Sequence, residues 1–598
     1  MLQDKDLVSV QQARQAAEAA YEAEQVLKDF SQEQVDAVVA AMAEAARSQA
    51  RRLAELAVEE TGYGKVEDKV VKNLFSAVDI HNYTKGLKTC GVIREDKERK
   101  IIEIAVPYGV VAAIIPTTNP TSTAIFKILS SIKARNTVVV APHPRAVRCT
   151  VETARVMYEA GLKAGLPENS VRWLDQVDLK GTRELMSHRR TGVILATGGP
   201  GLVKAAYSSG KPAYGVGSGN VPSFIERTAD VPKAVRDVVA GKSFDWGVLC
   251  SSEQAIVCDR PVESLVLEEL RRNKAYLLNE EETAKIERLI QNPEGRFNTD
   301  IVGQSPAKLA SRAGFSVPDD TTCLVGRAQG VGIDHPLSRE KLSPILAFYV
   351  EDGWEAGCER CIEILQYGGL GHTMSLHSTD RRVIIEFGLH KPAYRVCVNT
   401  PSTHGSVGLT TAVPPSMTLG CGAPGGNITS DNITAMHLVN IKRLAFETRP
   451  VEALGYSESA SAASPSSAAA SAVPGPSAGP APSSPPYQSG RSVDADSVRE
   501  VVRSVVEQYL GQKKNNPPPE IKAPPSVGKE KDEDRASPPS PSQEASQAPK
   551  PPPAVDFVCE DDVRQALRNQ SRIVVNDQTI ITPAAQDAAR GRDVLQWE

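Results

Sequence analysis

Cys250 lies in the segment Lys242-Ser-Phe-Asp-Trp-Gly-Val-Leu-Cys-Ser-Ser-Glu-Gln254, where a Gly247 turn and a short apolar pair precede the thiol. A thiolate in this setting is a nucleophile suited to attack a carbonyl carbon. The polar run 251–253 is expected to open a helix whose dipole would lower the pKa of the thiol. The alternative is a buried structural cysteine, the commoner fate of this residue type. The segment favours the nucleophile.

The loop Pro116-Thr-Thr-Asn-Pro-Thr-Ser-Thr123 presents an amide that can donate a hydrogen bond. Pro120 restricts Asn119 to extended backbone conformations. An amide held in this way can stabilise a carbonyl oxygen as it becomes negatively charged. Most asparagines in Thr/Pro loops instead cap a helix or close an Asx-turn, and on this loop alone that alternative is favoured.

Two glycine-rich loops are candidates for binding phosphate. Thr197-Gly-Gly-Pro-Gly201 follows a predicted strand at 192–196 and opens a predicted helix at 202–208. Glycine lets the backbone approach a phosphate closely, and a helix N-terminus attracts the anion. The loop is not a GxGxxG motif, and such turns are often only turns. The second loop, Gly215-Val-Gly-Ser-Gly-Asn220, is a weak signal alone.

Composition narrows the possible partners and compartments. The chain has 598 residues, a formal net charge of −5 and a pI of about 6.1, which does not favour nucleic acid or an anionic membrane as a partner. No apolar run approaches the ~18 residues of a membrane-spanning helix, and the N-terminus lacks the features of a secretory signal. The ten cysteines are scattered, and Cys358-Glu-Arg-Cys361 is expected to supply two core thiols rather than a metal site. We therefore expect a cytoplasmic protein.

Alternating strands and helices are expected to position these loops. Residues 9–60 show Ala-rich helical periodicity, and residues 100–105 alternate like a strand. The segments that follow are predicted as strands at 109–115, 137–141 and 192–196 and helices at 122–134 and 148–164. Fully apolar strands between helices indicate an α/β fold with a parallel sheet covered on both faces. Nucleotides usually bind at the ends of such strands.

Composition also divides the chain along its length. Residues 1–455 resemble one globular enzyme, and the Ser/Ala/Pro/Gly-rich 456–492 and the Pro/Lys/Glu/Ser-rich 512–553 are predicted to be disordered linkers. Between the linkers, 493–511 is predicted to form an amphipathic helix, with an apolar stripe at 498, 501/502, 505/506 and 509. A helix this short is unstable alone, so its apolar face must dock on a partner or on its own enzyme. The tail 554–598 shows a helix–strand–turn–strand–helix pattern.

Several longer motifs resemble the CoA-acylating branch of the aldehyde dehydrogenase superfamily, and in particular the aldehyde dehydrogenase half of bifunctional aldehyde-alcohol dehydrogenases. The resemblance covers roughly residues 30–445. Besides the Cys250 segment, it rests on these segments: Ile115-Pro-Thr-Thr-Asn-Pro-Thr-Ser-Thr-Ala-Ile-Phe-Lys127, Ala141-Pro-His-Pro-Arg-Ala146, Leu195-Ala-Thr-Gly-Gly-Pro-Gly201, Glu340-Lys-Leu-Ser-Pro344, Gly368-Gly-Leu-Gly-His-Thr373 and Thr418-Leu-Gly-Cys-Gly422.

The resemblance implies a fold and its domains. Residues 1–225 would form N-terminal helices and a Rossmann-like NAD-binding domain, and residues 226–415 an α/β catalytic domain. Residues 416–455 would return to the NAD-binding domain and include an oligomerisation segment. The segments 100–105 and 435–446 resemble strands that pair across subunits in this family, so a homodimer or homotetramer is expected.

The resemblance also implies site residues. Cys250 corresponds to the family nucleophile, Asn119 and the Cys250 backbone N–H to the oxyanion hole, and Glu340 to the residue that binds the nicotinamide ribose. Hydrolytic members carry a lysine at the position of His143, and many carry an acidic residue at that of Ala146, which leaves NADP open although NAD is expected. The other implied cofactor-binding residues are Thr117, His143, Pro144, Arg145, Thr197, Gly198, Gly199 and Gly217.

One departure from the family points to coenzyme A as the second substrate. Hydrolytic members use a glutamate in a Glu-Leu-Gly-Gly segment to activate water, and the corresponding segment here, Gly215-Val-Gly-Ser218, has no carboxylate. Without that base an acyl-enzyme can wait for a thiol nucleophile. His372 is expected either to act on coenzyme A, by assisting its thiol or contacting its phosphates, or to be a structural residue that packs its own loop. His404 is expected to be structural.

The C-terminal region resembles targeting elements of bacterial microcompartments. Helix 493–511 is similar to encapsulation peptides, and Ile580-Ile-Thr-Pro-Ala-Ala585 is similar to terminal segments of other microcompartment proteins. These likenesses imply shell or cargo partners and a short-chain aldehyde substrate such as acetaldehyde, propionaldehyde or lactaldehyde. Trp246 is a candidate wall of the aldehyde pocket. The competing hypotheses are a hydrolytic dehydrogenase and a non-catalytic scaffold.

Overall fold

A computed structural model describes residues 4–451, 555 and, with short gaps, 557–597. The chain divides into two compact units, Met1–Ser464 and Pro465–Glu598. The predicted linkers 456–492 and 512–553 and the predicted helix 493–511 lie outside the described residues.

The N-terminal region is helical, as the Ala-rich periodicity predicts. A capping box at Ser31 starts the second helix, and Gly62 ends the third in a left-handed conformation. A π-helical turn, Phe75–Asp79, joins the last two helices. The helices are α1 (Lys5–Leu27), α2 (Gln32–Ser48), α3 (Ala50–Thr61), α4 (Val66–Leu74) and α5 (Ile80–Lys85).

A three-stranded antiparallel sheet contains both segments that resemble oligomerisation strands. Its strands are β1 (Gly91–Asp96), β2 (Ile101–Pro107) and β15 (Val439–Ala445), with β2 in the centre. The register pairs Ile101 with Ala445 and Pro107 with Val439. The sheet therefore joins the end of the first unit back to a segment more than 300 residues earlier in the chain.

A five-stranded parallel sheet of order β5-β4-β3-β6-β7 follows. In β3, Val110 and Ala112 pack with α1, whereas Val111 and Ala113 pack with α6, because alternate residues of a strand face opposite sides. The chain reverses direction across the sheet between β3 and β6, which makes this the switch point of a doubly wound fold. The elements are β3 (Val110–Ile114), α6 (Pro120–Lys133), β4 (Thr137–Ala141), α7 (Val147–Lys163), β5 (Val171–Trp173), α8 (Leu179–Ser187), β6 (Thr191–Thr197), α9 (Pro200–Tyr207) and β7 (Ala213–Val216).

A seven-stranded parallel sheet of order β10-β11-β12-β9-β8-β13-β14 completes the first unit. Apolar cores cover both of its faces. The strands are β8 (Val221–Ile225), β9 (Glu253–Asp259), β10 (Ala275–Leu277), β11 (Cys323–Arg327), β12 (Ile345–Glu351), β13 (Met374–His377) and β14 (Val396–Val398). The helices are α10 (Val231–Ser243), α11 (Glu263–Arg272), α12 (Glu280–Ile290), α13 (Pro306–Ala313), α14 (Gly353–Gly368), α15 (Arg381–His390) and α16 (Ser402–Gly405).

The predicted α/β fold class is confirmed, and the predicted strands and helices lie within a few residues of the observed ones. Cys358 and Cys361 lie on α14 and pack into the core of the seven-stranded sheet. One prediction is wrong: the run 251–253 does not open a helix, because Glu253 begins the fully buried strand β9. In the described part of the chain, no helix is long and apolar enough to cross a membrane.

The second unit confirms the predicted helix–strand–turn–strand–helix order and adds a short strand at each end. The two strands beside the turn do not pair with each other in the described residues; each pairs in parallel with one of the added strands. The elements are β16 (Phe557–Val558), α17 (Glu560–Arg568), β17 (Ile573–Val575), β18 (Ile580–Ile581), α18 (Pro583–Ala589) and β19 (Leu595–Trp597).

Candidate active site

A cavity of about 630 Å³ lies where the two parallel sheets of the first unit face each other. The loops that follow β3, β4, β6 and β7 form one side, and the segments that precede β9 and β12 form the other. The cavity is thus built from the carboxyl ends of one sheet and the amino ends of the other. It is lined by every residue predicted to act in catalysis or cofactor binding except His372: Thr117, Asn119, His143, Pro144, Arg145, Thr197, Gly198, Gly199, Gly217, Cys250 and Glu340.

Cys250 is partly exposed to this cavity and follows a short 3-10 helix, Phe244–Gly247. Its carbonyl oxygen lies so close to Gly219 that a Cβ added there would approach it to 2.1 Å, so only glycine fits. Burial, together with the nearby Glu340 carboxylate, raises the pKa of the Cys250 thiol to about 12. The expected lowering of this pKa by a helix dipole is therefore wrong, because a strand and not a helix follows the thiol.

Asn119 stands at the N-cap position of α6 but makes no side-chain capping hydrogen bond. Its Oδ1 accepts a hydrogen bond of 2.5 Å from the ammonium of Lys72 on α4. Its Nδ2 donates one hydrogen bond to Thr118 Oγ1 at 3.1 Å, and its second N–H has no partner among the described residues. The side chain therefore does not cap the helix, and this second N–H can donate to an oxygen in the cavity.

The glycine-rich turn lies at the start of α9, beside the switch point. A Cβ added to Gly199 or Gly217 would meet no atom within 4 Å, so both positions border open space. The side-chain nitrogen of Lys127 donates to the carbonyls of Ile114 and Leu195 at 2.7 and 2.9 Å and so ties β3 to β6 beneath the loops. The backbone here can approach an anion closely, at the positive end of a helix.

The loop after β4 forms the outer part of the cavity. The backbone N–H of Arg145 donates to His143 Nδ1 at 3.1 Å, and the Arg145 guanidinium lies 5.4 Å from the centre of the Tyr63 ring. The side chains of His143 and Arg145 are exposed. They present an imidazole and a cation to a ligand at the outer end of the cavity.

Glu340 lines the same cavity as Cys250, and its Oε1 accepts a hydrogen bond of 3.2 Å from the backbone N–H of Gly219. Burial raises the pKa of this carboxyl to about 7. The other carboxylate among the described lining residues is Asp178, which accepts from the Lys180 backbone N–H at 2.7 Å as the cap of α8.

His372 lies behind the cavity rather than in it. It is fully buried, and its Nδ1 lies 3.0 Å from Thr373 Oγ1. Burial and the Arg395 guanidinium lower its pKa to about 3, so the ring is a weak base. This setting favours the loop-packing alternative for His372. His404 packs edge-on against Phe244 with ring centres 4.7 Å apart, as expected of a structural histidine.

Trp246 does not line the cavity described above, and the ammonium of Lys65 lies 4.6 Å from its ring centre. The cavity wall is instead apolar at residues that were assigned no role from the sequence, among them Leu249, Val407, Met417 and Leu419. A second cavity of about 500 Å³ shares Gly217 and Ser218 with the first. No sequence pattern gave the four apolar wall residues a role in a site, since each is an ordinary apolar residue.

The chain is similar to several known proteins. The sequence model of the Aldehyde dehydrogenase family matches residues 3–282. The chain is 42% identical over 426 residues to aldehyde-alcohol dehydrogenase 2 of Entamoeba histolytica, covering 70% of this chain and 49% of that protein. It therefore spans about half the length of the bifunctional relatives that it matches. It is also 37% identical over 445 residues to the acetylating succinate-semialdehyde dehydrogenase of Clostridium kluyveri, covering 74% of this chain and 98% of that protein.

Solved structures are similar over the same region. An acetylating aldehyde dehydrogenase from Geobacillus thermoglucosidasius matches with a TM-score of 0.74 and 51% identity, covering 75% of this chain and 99% of that chain. A propionaldehyde dehydrogenase from the fucose utilisation bacterial microcompartment of Clostridium phytofermentans matches with a TM-score of 0.66 and 28% identity, covering 73% and 97%.

Proposed function

This chain belongs to the aldehyde dehydrogenase family, and from that premise we propose that it oxidises a short-chain aldehyde to an acyl-CoA with NAD as hydride acceptor. The observation that carries the proposal is the meeting of Cys250, Asn119 and Glu340 at one cavity. A scaffold has no use for such a combination. The similarity to acetylating relatives supports the acylating branch over the hydrolytic one.

The first step is attack of the Cys250 thiolate on the aldehyde carbon, which forms the C–S bond and moves the carbonyl π electrons onto oxygen. The free N–H of Asn119 Nδ2 and the Cys250 backbone N–H donate to that oxygen. When the C=O bond re-forms, the aldehydic hydrogen leaves with its electron pair, and Cys250 carries a thioester. The thiol proton leaves first, to the solvent that reaches the partly exposed Cys250 through the cavity, and because the pKa of the thiol is raised the free protein holds little thiolate.

The cavity fits a dinucleotide at three places. Gly198 and Gly199 open α9 and leave room for a pyrophosphate, the loop 143–145 borders the outer end, and Glu340 offers a carboxylate to a ribose close to Cys250. NAD bound there supplies the hydride acceptor. The exposed Arg145 cation, and the absence of an acidic residue at Ala146, leave NADP as an alternative at the outer end.

Coenzyme A is the proposed acyl acceptor because the site has no carboxylate at the position where hydrolytic members of the family activate water. The segment 215–218 carries none. Of the two carboxylates among the described residues that line the cavity, Asp178 caps α8, and Glu340, whose pKa of about 7 would suit a base, is assigned to the nicotinamide ribose. The CoA thiol loses its proton to solvent, and the resulting thiolate attacks the thioester carbon, which breaks the C–S bond to Cys250, returns the Cys250 thiolate and releases acyl-CoA. A thiol needs less help than water to ionise, so this step can proceed without a dedicated base.

The deciding experiment follows NADH formation by the purified full-length protein with propionaldehyde, with and without CoA. We expect turnover only with CoA, none in Cys250→Ala, and wild-type turnover in Cys421→Ala, which removes another buried thiol of the same region. Equal turnover without CoA would assign water as the acceptor and contradict the acylating proposal. Absence of NADH under both conditions would contradict the aldehyde dehydrogenase activity itself.

Assembly and location remain part of the proposal. We infer a homodimer or homotetramer that pairs through the sheet of β1, β2 and β15, and the domain division 1–225, 226–415 and 416–455. We also infer a cytoplasmic enzyme within a bacterial microcompartment, held to shell or cargo proteins by 493–511. The support is the amphipathic pattern of that segment together with the similarity to a microcompartment propionaldehyde dehydrogenase.

A further inference from the structure

Three buried charges join the segment of Cys250 to the loop of Asn119. The carboxylate of Asp245 is fully buried, and its Oδ2 accepts from the ammonium groups of Lys69, at 3.0 Å, and of Lys72. Its Oδ1 accepts from the Lys65 backbone N–H at 2.7 Å. Both lysine side chains are at least 95% buried. Buried charges are retained where paired, and here two cations share one anion.

The two lysines reach different parts of the same loop. Lys69 Nζ donates to the backbone carbonyl of Thr118 at 3.2 Å, whereas Lys72 Nζ donates to the side-chain oxygen of Asn119 at 2.5 Å. An amide is planar, and its oxygen and nitrogen lie on opposite sides of the side-chain carbon. Because Lys72 holds the oxygen, the nitrogen of Asn119 is fixed as the end that can face a substrate oxygen.

Asp245 is itself held in an unusual backbone conformation, with φ of 49°. Its backbone N–H donates to Asp68 Oδ2 at 2.7 Å, so α4 grips both the backbone and the side chain of this residue. Gly64 leaves the space for the carboxylate, since a Cβ there would lie 1.9 Å from Asp245 Oδ1. A left-handed non-glycine residue held so firmly is typical of a functional site.

We propose that Lys72, anchored by Asp245, is a positioning residue that orients the Asn119 amide as an oxyanion donor and places a positive charge behind it. This inference rests on the proposed function, since it concerns the oxygen that becomes negative when Cys250 attacks. Lys72 is not among the residues that line the cavity. It acts through Asn119 and is strongest when charge develops, so its loss should slow the acylation step more than it weakens binding.

The test compares Lys72→Met with Lys69→Met in the full-length protein. Each variant removes one buried cation and leaves the other paired one-to-one with Asp245, so the two are matched in charge and burial. The readout is the burst of NADH on rapid mixing with propionaldehyde and NAD in the absence of CoA, which reports acylation alone. We expect the burst in Lys72→Met to be about tenfold to hundredfold slower than in the wild type, as for partial loss of an oxyanion donor. It should also be at least about fivefold slower than in Lys69→Met.

Two further readouts separate positioning from a structural effect. The KM for NAD should stay within about twofold of wild type, since uniform binding is unaffected. Alkylation of Cys250 by iodoacetamide should keep its wild-type rate, because that reaction creates no oxyanion. Equal burst rates in the two variants, or parallel losses of burst and alkylation in Lys72→Met, would overturn the proposal. Should Lys72→Met fail to fold, Lys72→Leu, which likewise lacks both the donor and the charge, serves with the same expectations.

The wild-type burst keeps this test distinct from the proposed function. A wild type that forms no NADH refutes the dehydrogenase activity, whereas a wild-type burst without CoA-dependent turnover refutes only the acyl acceptor. Equal bursts in Lys72→Met and wild type refute the positioning role alone.

Discussion

The Cys250 thiol is the proposed nucleophile, yet its surroundings raise its pKa, and the pH dependence of its reactivity should show this. With its pKa raised to about 12, the thiolate fraction rises about tenfold for each pH unit through the neutral range. We expect its alkylation rate to keep rising up to about pH 10, whereas an ordinary thiol levels off near its pKa of about 8.5. Peptide mapping by mass spectrometry measures the rate, and a plateau below about pH 9 would contradict the raised pKa.

Glu340 should affect both the thiol and the cofactor. Its carboxylate is among the groups that raise the pKa of Cys250, so Glu340→Gln should speed alkylation at neutral pH. The same change removes the proposed ribose acceptor and should raise the KM for NAD by about tenfold, the usual effect of losing a hydrogen bond to a charged group. Asp178→Asn is the matched control for alkylation, because that carboxylate caps α8. A Glu340→Gln variant with slower alkylation would argue against the electrostatic link.

The site residues that could be identified from the sequence lie in loops directly after or before strands, where the residue type and its neighbours in the chain indicate a function. Asn119, Gly198 and Cys250 were found in this way. Lys72 and Asp245 were not, because their contact spans 173 residues and a lysine on a helix looks like any exposed lysine. The raised pKa of Cys250 was missed for the same reason, since burial is a property of the folded chain.

At the scale of elements, the apolar runs predicted strands well and the polar run 251–253 misled. Ser251, Ser252 and Glu253 would suit a helix start, yet all are fully buried, and Glu253 accepts from the backbone N–H of Ser402 at 2.6 Å. These polar side chains are therefore surrounded by protein rather than water, and they do not serve to cap a helix. Similarly, β16 and β19 have two and three residues, too few for any pattern.

The turn between α3 and α4 gives an element-scale prediction. Gly62 and Gly64 both have positive φ, but only at Gly64 would a Cβ strike the Asp245 carboxylate. Gly62→Ala should therefore cost only the left-handed strain, about 1–2 kcal/mol of unfolding free energy. Gly64→Ala should cost more and should also slow the NADH burst, because Asp245 must move away from Lys72.

Urea unfolding and the CoA-free burst measure the two effects in parallel. A Gly64→Ala variant that loses stability while keeping the wild-type burst would show that Asp245 can shift without disturbing Asn119. Equal behaviour of both alanine variants would show that the turn matters only through its backbone conformation.

For the whole molecule, alternation of strands and helices predicted an α/β fold, and the motifs ordered along the chain predicted the family. Neither indicated that two parallel sheets would place opposite strand ends against one cavity. That arrangement depends on packing between segments far apart in the sequence. It brings Asn119 and Glu340, 221 residues apart by subtraction of their positions, to the same cavity as Cys250.

Every residue that lines the cavity lies within 63–419, so catalysis and targeting should separate. Deleting 493–511 should leave CoA-dependent turnover unchanged and release the enzyme from purified compartments, because the apolar stripe at 498, 501/502, 505/506 and 509 is the proposed docking face. Deleting 456–474, a stretch of equal length from the predicted linker, is the matched control and should preserve loading. Sedimentation of activity with intact shells measures the outcome. Loading that survives the first deletion, or is lost equally in both, would contradict encapsulation by this helix and move the targeting signal to the tail 554–598.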